Sequence, residues 1–136
     1  GEVAEARLPK LVKAAEEVRG APFTLTLDRL GYWGHNRLLW AGSTDAAVPA
    51  ALGETVAGLH RALRQAGFAV ADEDRLFAPP LTLVRKLRKA PERLALPAIA
   101  PLDWPCSSLV LVSSQLSSVG SAYQIVGEFP FGAGLP

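Results

Sequence analysis

The 136-residue sequence contains no methionine, one cysteine and two histidines. Because Cys106 has no second cysteine to pair with, an internal disulfide is excluded and a reducing, cytoplasmic location is favoured. No apolar run approaches the roughly 18 residues that a membrane helix needs, and the first residues lack the basic and apolar stretches of a signal peptide. We therefore expect no membrane partner, and since Gly1 is not a start methionine we expect translation to begin upstream of it.

Few residues suggest a metal, a cofactor or a nucleophile, and the net charge of +1 gives no bulk attraction for nucleic acid. His35 lies in a predicted loop, where a solvated side chain is expected. His60 has Arg64 rather than a second ligand one helical turn later. The carboxylates of residues 72–74 have a spacing that fits no cation-binding loop, so a solvated acidic turn is favoured. The serines of residues 113–118 have no base near them in sequence, so Ser-His-Asp catalysis has no support.

Apolar periodicity predicts two helices, and with 49% apolar residues a chain of this length can bury the core of one domain. The first helix runs from about Ala6 to Arg19, with Pro9 in the first turn, where proline is tolerated. The second runs from about Pro49 to Ala66, and Gly67 ends it. Residues 68–71 are compatible with a short strand or with a lead into the acidic turn.

Alternating apolar residues predict strands at Phe23–Leu27 and Arg37–Ala41, which we expect to pair antiparallel because they are close in sequence. Asp28–Asn36, which contains two glycines, is expected to connect them. Leu94–Pro105 is rich in proline and alanine and is expected to be an extended connection. Two further strands are expected to form a terminal hairpin around Gly120: Ser107–Leu116 and Ser121–Glu128.

The chain is organised around residues 77–85, with the sequence FAPPLTLVR. This stretch predicts a short strand that opens with prolines, because a proline cannot donate to a ladder and belongs at a strand's start or edge. The basic run of residues 85–89, followed by Arg93, is either a solvated surface or a rim that attracts a phosphodiester backbone. Strict alternation predicts two faces for the strand: Pro80, Thr82 and Val84 on one, and Leu81, Leu83 and Arg85 on the other.

Four segments together resemble the 2′-5′ RNA ligase family, the RNA 2′,3′-cyclic phosphodiesterases of the two-histidine phosphoesterase superfamily. Residues 77–85 are similar to the family's second signature, Phe-x-Pro-His-x-Thr-Leu-x-Arg. Residues 23–28 (FTLTLD) resemble its central strand, and residues 37–42 (RLLWAG) resemble its Arg-Val-Leu-Trp-Ala-Gly strand. Residues 123–131 (YQIVGEFPF) resemble its closing strand. The segments follow the family's order and spacing, so the resemblance covers almost the whole chain.

The resemblance implies an α+β fold in which residues 1–136 form a single domain of two lobes. Each lobe would be an antiparallel sheet with a packed helix, and the lobes would flank a central cleft. The family's first strand, first helix and first His-x-Thr strand would precede Gly1. We therefore expect an open sheet edge, completed either by the missing N-terminal segment or by a second chain.

The family's reaction opens a 2′,3′-cyclic phosphate to a 2′-phosphate, with 2′-5′ ligation as the reverse-direction activity. Two histidines supply the base and the acid, and no metal or cofactor is required. The resemblance assigns phosphate binding to Thr82 and Arg85. It places the second catalytic histidine at position 80, where this chain has Pro80.

Pro80 has no ionisable group, and the first signature lies outside the sequence, so neither catalytic histidine of the family is visible. We expect the chain to recognise RNA with 2′,3′-cyclic phosphate ends, or cyclic nucleotides, and to turn them over poorly or not at all. The alternative is a non-catalytic protein that binds RNA ends or nucleotide phosphates through the same residues.

Overall fold

The computed structural model describes residues 2–70, 81–88 and 96–132. It contains two α-helices and seven β-strands within these ranges, with every strand pair antiparallel. This is the α+β architecture that the sequence predicts. The helices are α1 (Leu8–Glu16) and α2 (Ala50–Gln65), and the strands are β1 (Phe23–Leu27), β2 (Arg29–Trp33), β3 (Leu38–Gly42), β4 (Leu81–Val84), β5 (Leu102–Cys106), β6 (Ser108–Ser117) and β7 (Gly120–Pro130).

The chain forms two compact units, and the first comprises Gly1–Pro22, Ala51–Arg75 and Ser107–Pro136. In this unit a single 3-10 turn leads into α1, which is shorter than the predicted helix at both ends. Pro9 occupies the first turn of α1 as predicted. Ala14 and Ala15 are its buried residues, and the helix packs on β6 and β7. Small side chains on this face allow close packing against the hairpin.

The predicted end of α2 is confirmed, because Gly67 follows the helix with a φ of 88°, in the left-handed region that favours glycine. Arg7 stabilises the C-terminal end of α2. Its guanidinium donates to the Gly67 carbonyl at 3.0 Å and lies 4.2 Å from the centre of the Phe68 ring. Residues 68–70 form no strand. Of the two possibilities predicted for this stretch, the connection to the acidic turn therefore remains. That turn, residues 72–74, lies outside the described residues.

The terminal hairpin of β6 and β7 is confirmed, and its pairs run from Ser108–Pro130 to Ser117–Gly120. Gly120 makes the turn with a φ of 132°. Large apolar side chains near the tip are open to solvent: Leu116 is 84% exposed, Val119 96% and Ile125 68%. Much of the apolar content of this hairpin therefore adds little to the core of the described chain.

The second unit comprises Phe23–Ala50 and Leu76–Cys106, and one of its sheets pairs β1 with β5. The predicted pairing of Phe23–Leu27 with Arg37–Ala41 is therefore wrong, since β1 pairs instead with a strand far along the chain. The prediction that Leu94–Pro105 is a connection is also wrong for its last residues. Among the described residues Pro105 lies in a strand paired only with β1, where its missing N–H can face outward.

The other sheet of this unit has the order β2-β3-β4. The prediction that Asp28–Asn36 is a connection is wrong, because most of that stretch forms β2 and pairs with β3. The misleading residue was Gly31, whose position in the strand leaves room for the Trp40 ring. The predicted strand after the prolines is confirmed as β4, which pairs with the far side of β3.

Leu25, Leu27 and Ala41 form the buried core of the second unit. Ser43 is also buried, and its hydroxyl donates to the Thr26 carbonyl. No helix among the described residues has both the length and the apolar composition needed to cross a bilayer.

Candidate phosphate-binding site

Thr82 lies in β4, half-buried, directly opposite Trp40 of β3. The sequence favours a strand there because Thr82 and Val84 are β-branched residues that follow two prolines, which belong at a strand's start. Cross-strand partners share a face of their sheet, so Thr82 projects on the same side as the Trp40 ring. This defines the face of the three-stranded sheet on which a phosphate held by Thr82 would lie.

A β-bulge in β4 changes the predicted arrangement of the strand. Val84 pairs with Leu39 while Thr82 pairs with Trp40, so β4 has an extra residue between these two pairs. Because Leu39 and Trp40 point to opposite faces, Thr82 and Val84 do so as well. The prediction that Thr82 and Val84 share a face is therefore wrong. Arg85 follows the last residue of β4 and lies in a bend, outside the alternation of the strand.

Cations gather where β4 ends and β3 begins. Arg85 is exposed and directly follows the strand, and Lys86 turns the chain with a φ of 54°. The N–H of Leu87 then donates to the carbonyl of Arg37 at 3.0 Å, and Arg37 itself has a φ of 52°. This bond holds the start of the basic run beside Arg37, a cation that the sequence argument did not include. Three of the predicted residues, Pro80, Lys89 and Arg93, lie outside the described residues.

An aromatic cluster covers the same face of the sheet. The Trp40 ring lies across Gly31, where an added Cβ would stand only 2.0 Å from the indole. Trp33 lies 5.6 Å from Trp40 between ring centres, and His35 stacks on Trp33 at 6.2 Å with 28° between the planes. The Arg29 guanidinium lies 5.4 Å from the centre of the Trp40 ring. We call Arg29, Trp33, His35 and Trp40 the aromatic face.

This face is absent from the sequence predictions, which have His35 as a solvated loop residue and Trp33 in a connection. The available signal was the alternation of Arg29, Gly31 and Trp33, which the two nearby glycines obscured. Within the described part of the chain the buried indole N–H of Trp40 has no hydrogen-bond partner, so ring packing rather than polar pairing holds this side chain.

A polar connection fixes the start of β2 to the chain that follows β3. Asp28 accepts hydrogen bonds from the backbone N–H of Thr44 at 2.7 Å and from its hydroxyl at 2.9 Å. These bonds favour the ionised carboxylate and hold the pKa of Asp28 below its usual range. A separate bond runs from the Thr26 hydroxyl to the Asp103 carboxylate at 2.9 Å. Both carboxylates thus have structural partners within the unit.

These residues provide binding chemistry for an anion. A threonine hydroxyl and nearby guanidinium groups can donate to phosphate oxygens, and the cations stabilise their charge. The described residues contain no group of three or more histidine, cysteine, aspartate or glutamate side chains that could hold a metal ion. Proton transfer to a leaving oxygen needs an ionisable side chain within reach of the phosphate.

Comparison with known proteins identifies the family. The sequence model of the 2′-5′ RNA ligase superfamily matches residues 2–117, which is most of the chain. An RNA 2′,3′-cyclic phosphodiesterase from Thermus thermophilus is 29% identical over 134 residues, covering 95% of this chain and 67% of the relative.

Solved structures agree with this match. Apo LigT from E. coli superposes with a TM-score of 0.75 at 25% identity, covering 96% of this chain and 71% of LigT. The LigT complex with 3′-AMP gives a TM-score of 0.76, again at 25% identity, with coverages of 96% and 72%. The fold is thus that of the two-histidine phosphoesterases, and the chain belongs to the 2′-5′ RNA ligase superfamily.

Proposed function

We propose that this chain binds RNA ends that carry a 2′,3′-cyclic phosphate, through Thr82 and Arg85, and that it hydrolyses them slowly or not at all. The observation that carries the proposal is the arrangement at the end of β4. Thr82 lies in the strand opposite Trp40, the exposed Arg85 directly follows the strand, and the bond from Leu87 to Arg37 holds this basic stretch beside a further arginine. Two relatives support the substrate class: one is an RNA 2′,3′-cyclic phosphodiesterase, and LigT was crystallised with 3′-AMP.

The proposed impairment follows from the chemistry of ring opening. Water attacks phosphorus, its proton passes to a base, the P–O3′ bond breaks, and the 3′ oxygen takes a proton from an acid. The products are a 2′-phosphate and a free 3′ hydroxyl. Pro80 stands at the position that the family resemblance gives to one of these proton-transfer groups, and it can neither accept nor donate a proton. Proton-transfer catalysis contributes about 10²–10⁴-fold, so its loss leaves binding without efficient turnover.

The test combines turnover with binding on a short RNA that ends in a 2′,3′-cyclic phosphate. We expect little 2′-phosphate product from the chain as it stands. Because ring opening needs both a base and an acid, an increase of about 10²-fold or more is expected for Pro80→His in a protein that also carries the first His-x-Thr signature. Arg85→Ala is expected to weaken binding of the cyclic-phosphate RNA. The matched control is Arg61→Ala, which removes an exposed cation from α2 in the other unit.

Two results would contradict the proposal. Rapid hydrolysis by the unmodified chain would show that Pro80 does not limit catalysis. Equal affinities for the cyclic-phosphate RNA and for the same RNA with a free 2′,3′-diol would show that the terminal phosphate is not recognised. The non-catalytic alternative, a protein that binds RNA ends or nucleotide phosphates, gains support if Pro80→His in the protein that also carries the first signature binds normally and still gives no product.

A further inference from the structure

The aromatic face lies beside Thr82 on the same sheet. Trp40 is the cross-strand partner of Thr82 on one side and of Gly31 on the other, and Trp33 is two residues along β2 from Gly31. Two strand spacings separate β4 from β2, which corresponds to about 10 Å across the sheet. A nucleotide whose phosphate lies at Thr82 can therefore bring its base over these rings.

The rings are both accessible and held in place. Trp33 is 39% exposed, and His35 is exposed in the turn between β2 and β3. Trp40 is restrained beneath them because its ring occupies the space above Gly31. Stacked rings on a paired hairpin form a surface that needs little rearrangement before it accepts another flat group. Such pre-organisation lowers the entropic cost of binding.

Cations border these rings. Arg29 lies over Trp40, and Arg37 and Arg85 occupy the end of the sheet where β4 leaves it. Aromatic rings combined with guanidinium groups are the pattern by which proteins hold single-stranded nucleic acid, with bases on the rings and phosphates on the cations. An apolar peptide would leave these charges without partners, so the combination favours RNA over a hydrophobic protein segment.

We propose that Trp33 and His35 stack against a base of a single-stranded RNA end whose terminal phosphate lies at Thr82 and Arg85. The inference rests on the proposed function and deepens it, because it makes an oligonucleotide rather than an isolated cyclic phosphate the preferred ligand. Every base has a flat π surface, so the stacking tolerates sequence changes. Stacking on Trp33 and His35 selects an RNA that has a base near its end. Binding at Thr82 and Arg85 selects an RNA whose end carries the phosphate.

The experiment measures fluorescence anisotropy with two short RNAs that both end in a 2′,3′-cyclic phosphate. One carries bases throughout, and the other is abasic over its last three positions. The unmodified protein is expected to bind the base-containing RNA about tenfold more tightly or better. Trp33→Ala should abolish this difference, whereas Trp33→Phe should retain most of it. Trp104→Ala, which removes a 48% exposed tryptophan from β5, is the matched control and should behave as the unmodified protein.

The outcomes separate this inference from the proposed function. If Trp33→Ala retains the preference for bases while Arg85→Ala weakens binding, stacking at Trp33 is overturned and phosphate recognition stands. If Trp33→Ala loses the preference while Arg85→Ala binds normally, stacking is supported and the phosphate assignment fails. If the unmodified protein binds neither RNA, both are overturned. Should Trp33→Ala fail to fold, His35→Ala tests the same contact, since His35 is exposed in a turn.

Discussion

Gly31→Ala tests whether the Trp40 ring lies where the structure places it. An added Cβ would meet three indole carbons at 2.0–2.5 Å, whereas ordinary contacts are 3.4–4 Å. The ring must therefore move outward by more than an ångström and separate from Trp33 and Arg29. Overpacking of this kind costs about 1–3 kcal/mol, and the lost aromatic pair adds about 0.5–1.5 kcal/mol. Alanine restores about 0.4–1 kcal/mol by restricting the unfolded chain.

The expected net effect of Gly31→Ala is a loss of about 2 kcal/mol in the free energy of unfolding. The matched control is Gly34→Ala in the same unit, where an added Cβ meets only the Tyr32 ring, at an ordinary 3.8 Å. That change should be neutral or slightly stabilising.

Urea unfolding followed by tryptophan fluorescence suits this comparison, because the three tryptophans of the sequence all belong to the second unit. Near-UV circular dichroism should also change for Gly31→Ala alone. Equal stability and an unchanged near-UV spectrum for Gly31→Ala would refute the placement of Trp40 across the sheet.

Three further predictions concern charge, pH and the hairpin. Arg85→Ala should reduce the slope of log affinity for the cyclic-phosphate RNA against log salt by about 0.7–1, and an unchanged slope in a titration series would place Arg85 away from phosphate. The pKa of Asp28 is lowered by its bonds from Thr44, so the stability they give is present above the unfolded pKa of about 3.9 and is lost as pH falls through the lower folded value. Urea midpoints measured from pH 6 to pH 2.5 should show this loss. The midpoint of Asp28→Asn should fall less steeply over the same pH range. Ile125→Thr should change the free energy of unfolding by no more than about 0.5 kcal/mol, whereas a loss above about 2 kcal/mol would mean that this face is covered in solution.

Local patterns predicted the elements whose determinants are local. The apolar stripes and stop residues were sufficient to predict both helices. Gly120 between two alternating runs was sufficient to predict the terminal hairpin. The pairing of β1 with β5 was missed because it joins strands far apart in the sequence. The proline content of residues 94–105 favoured a connection over the strand β5. An edge strand nevertheless accommodates Pro105, because a proline leaves no unpaired backbone donor there.

The candidate site was predicted in part. The assignment of phosphate binding to Thr82 and Arg85 comes from a signature and stays a prediction, whereas the faces of Thr82 and Val84 depend on a bulge that no alternation rule contains. Arg37 joins them through a backbone bond from Leu87, a contact between residues far apart in sequence. The aromatic face was missed because the sequence shows a glycine in β2 without showing the ring that fills its place.

The two compact units are interleaved along the chain, which matters while the protein is being made. All residues of this chain that belong to the second unit have been added once Cys106 is in place, whereas the first unit still lacks the hairpin of β6 and β7. At about 5–20 residues per second, the ribosome needs roughly a few more seconds to supply that hairpin. Until then Ala14 and Ala15, on the buried face of α1, have no strand to pack against. The nascent chain therefore passes through a stage in which one unit can fold while the helix of the other is open to chaperones and proteases.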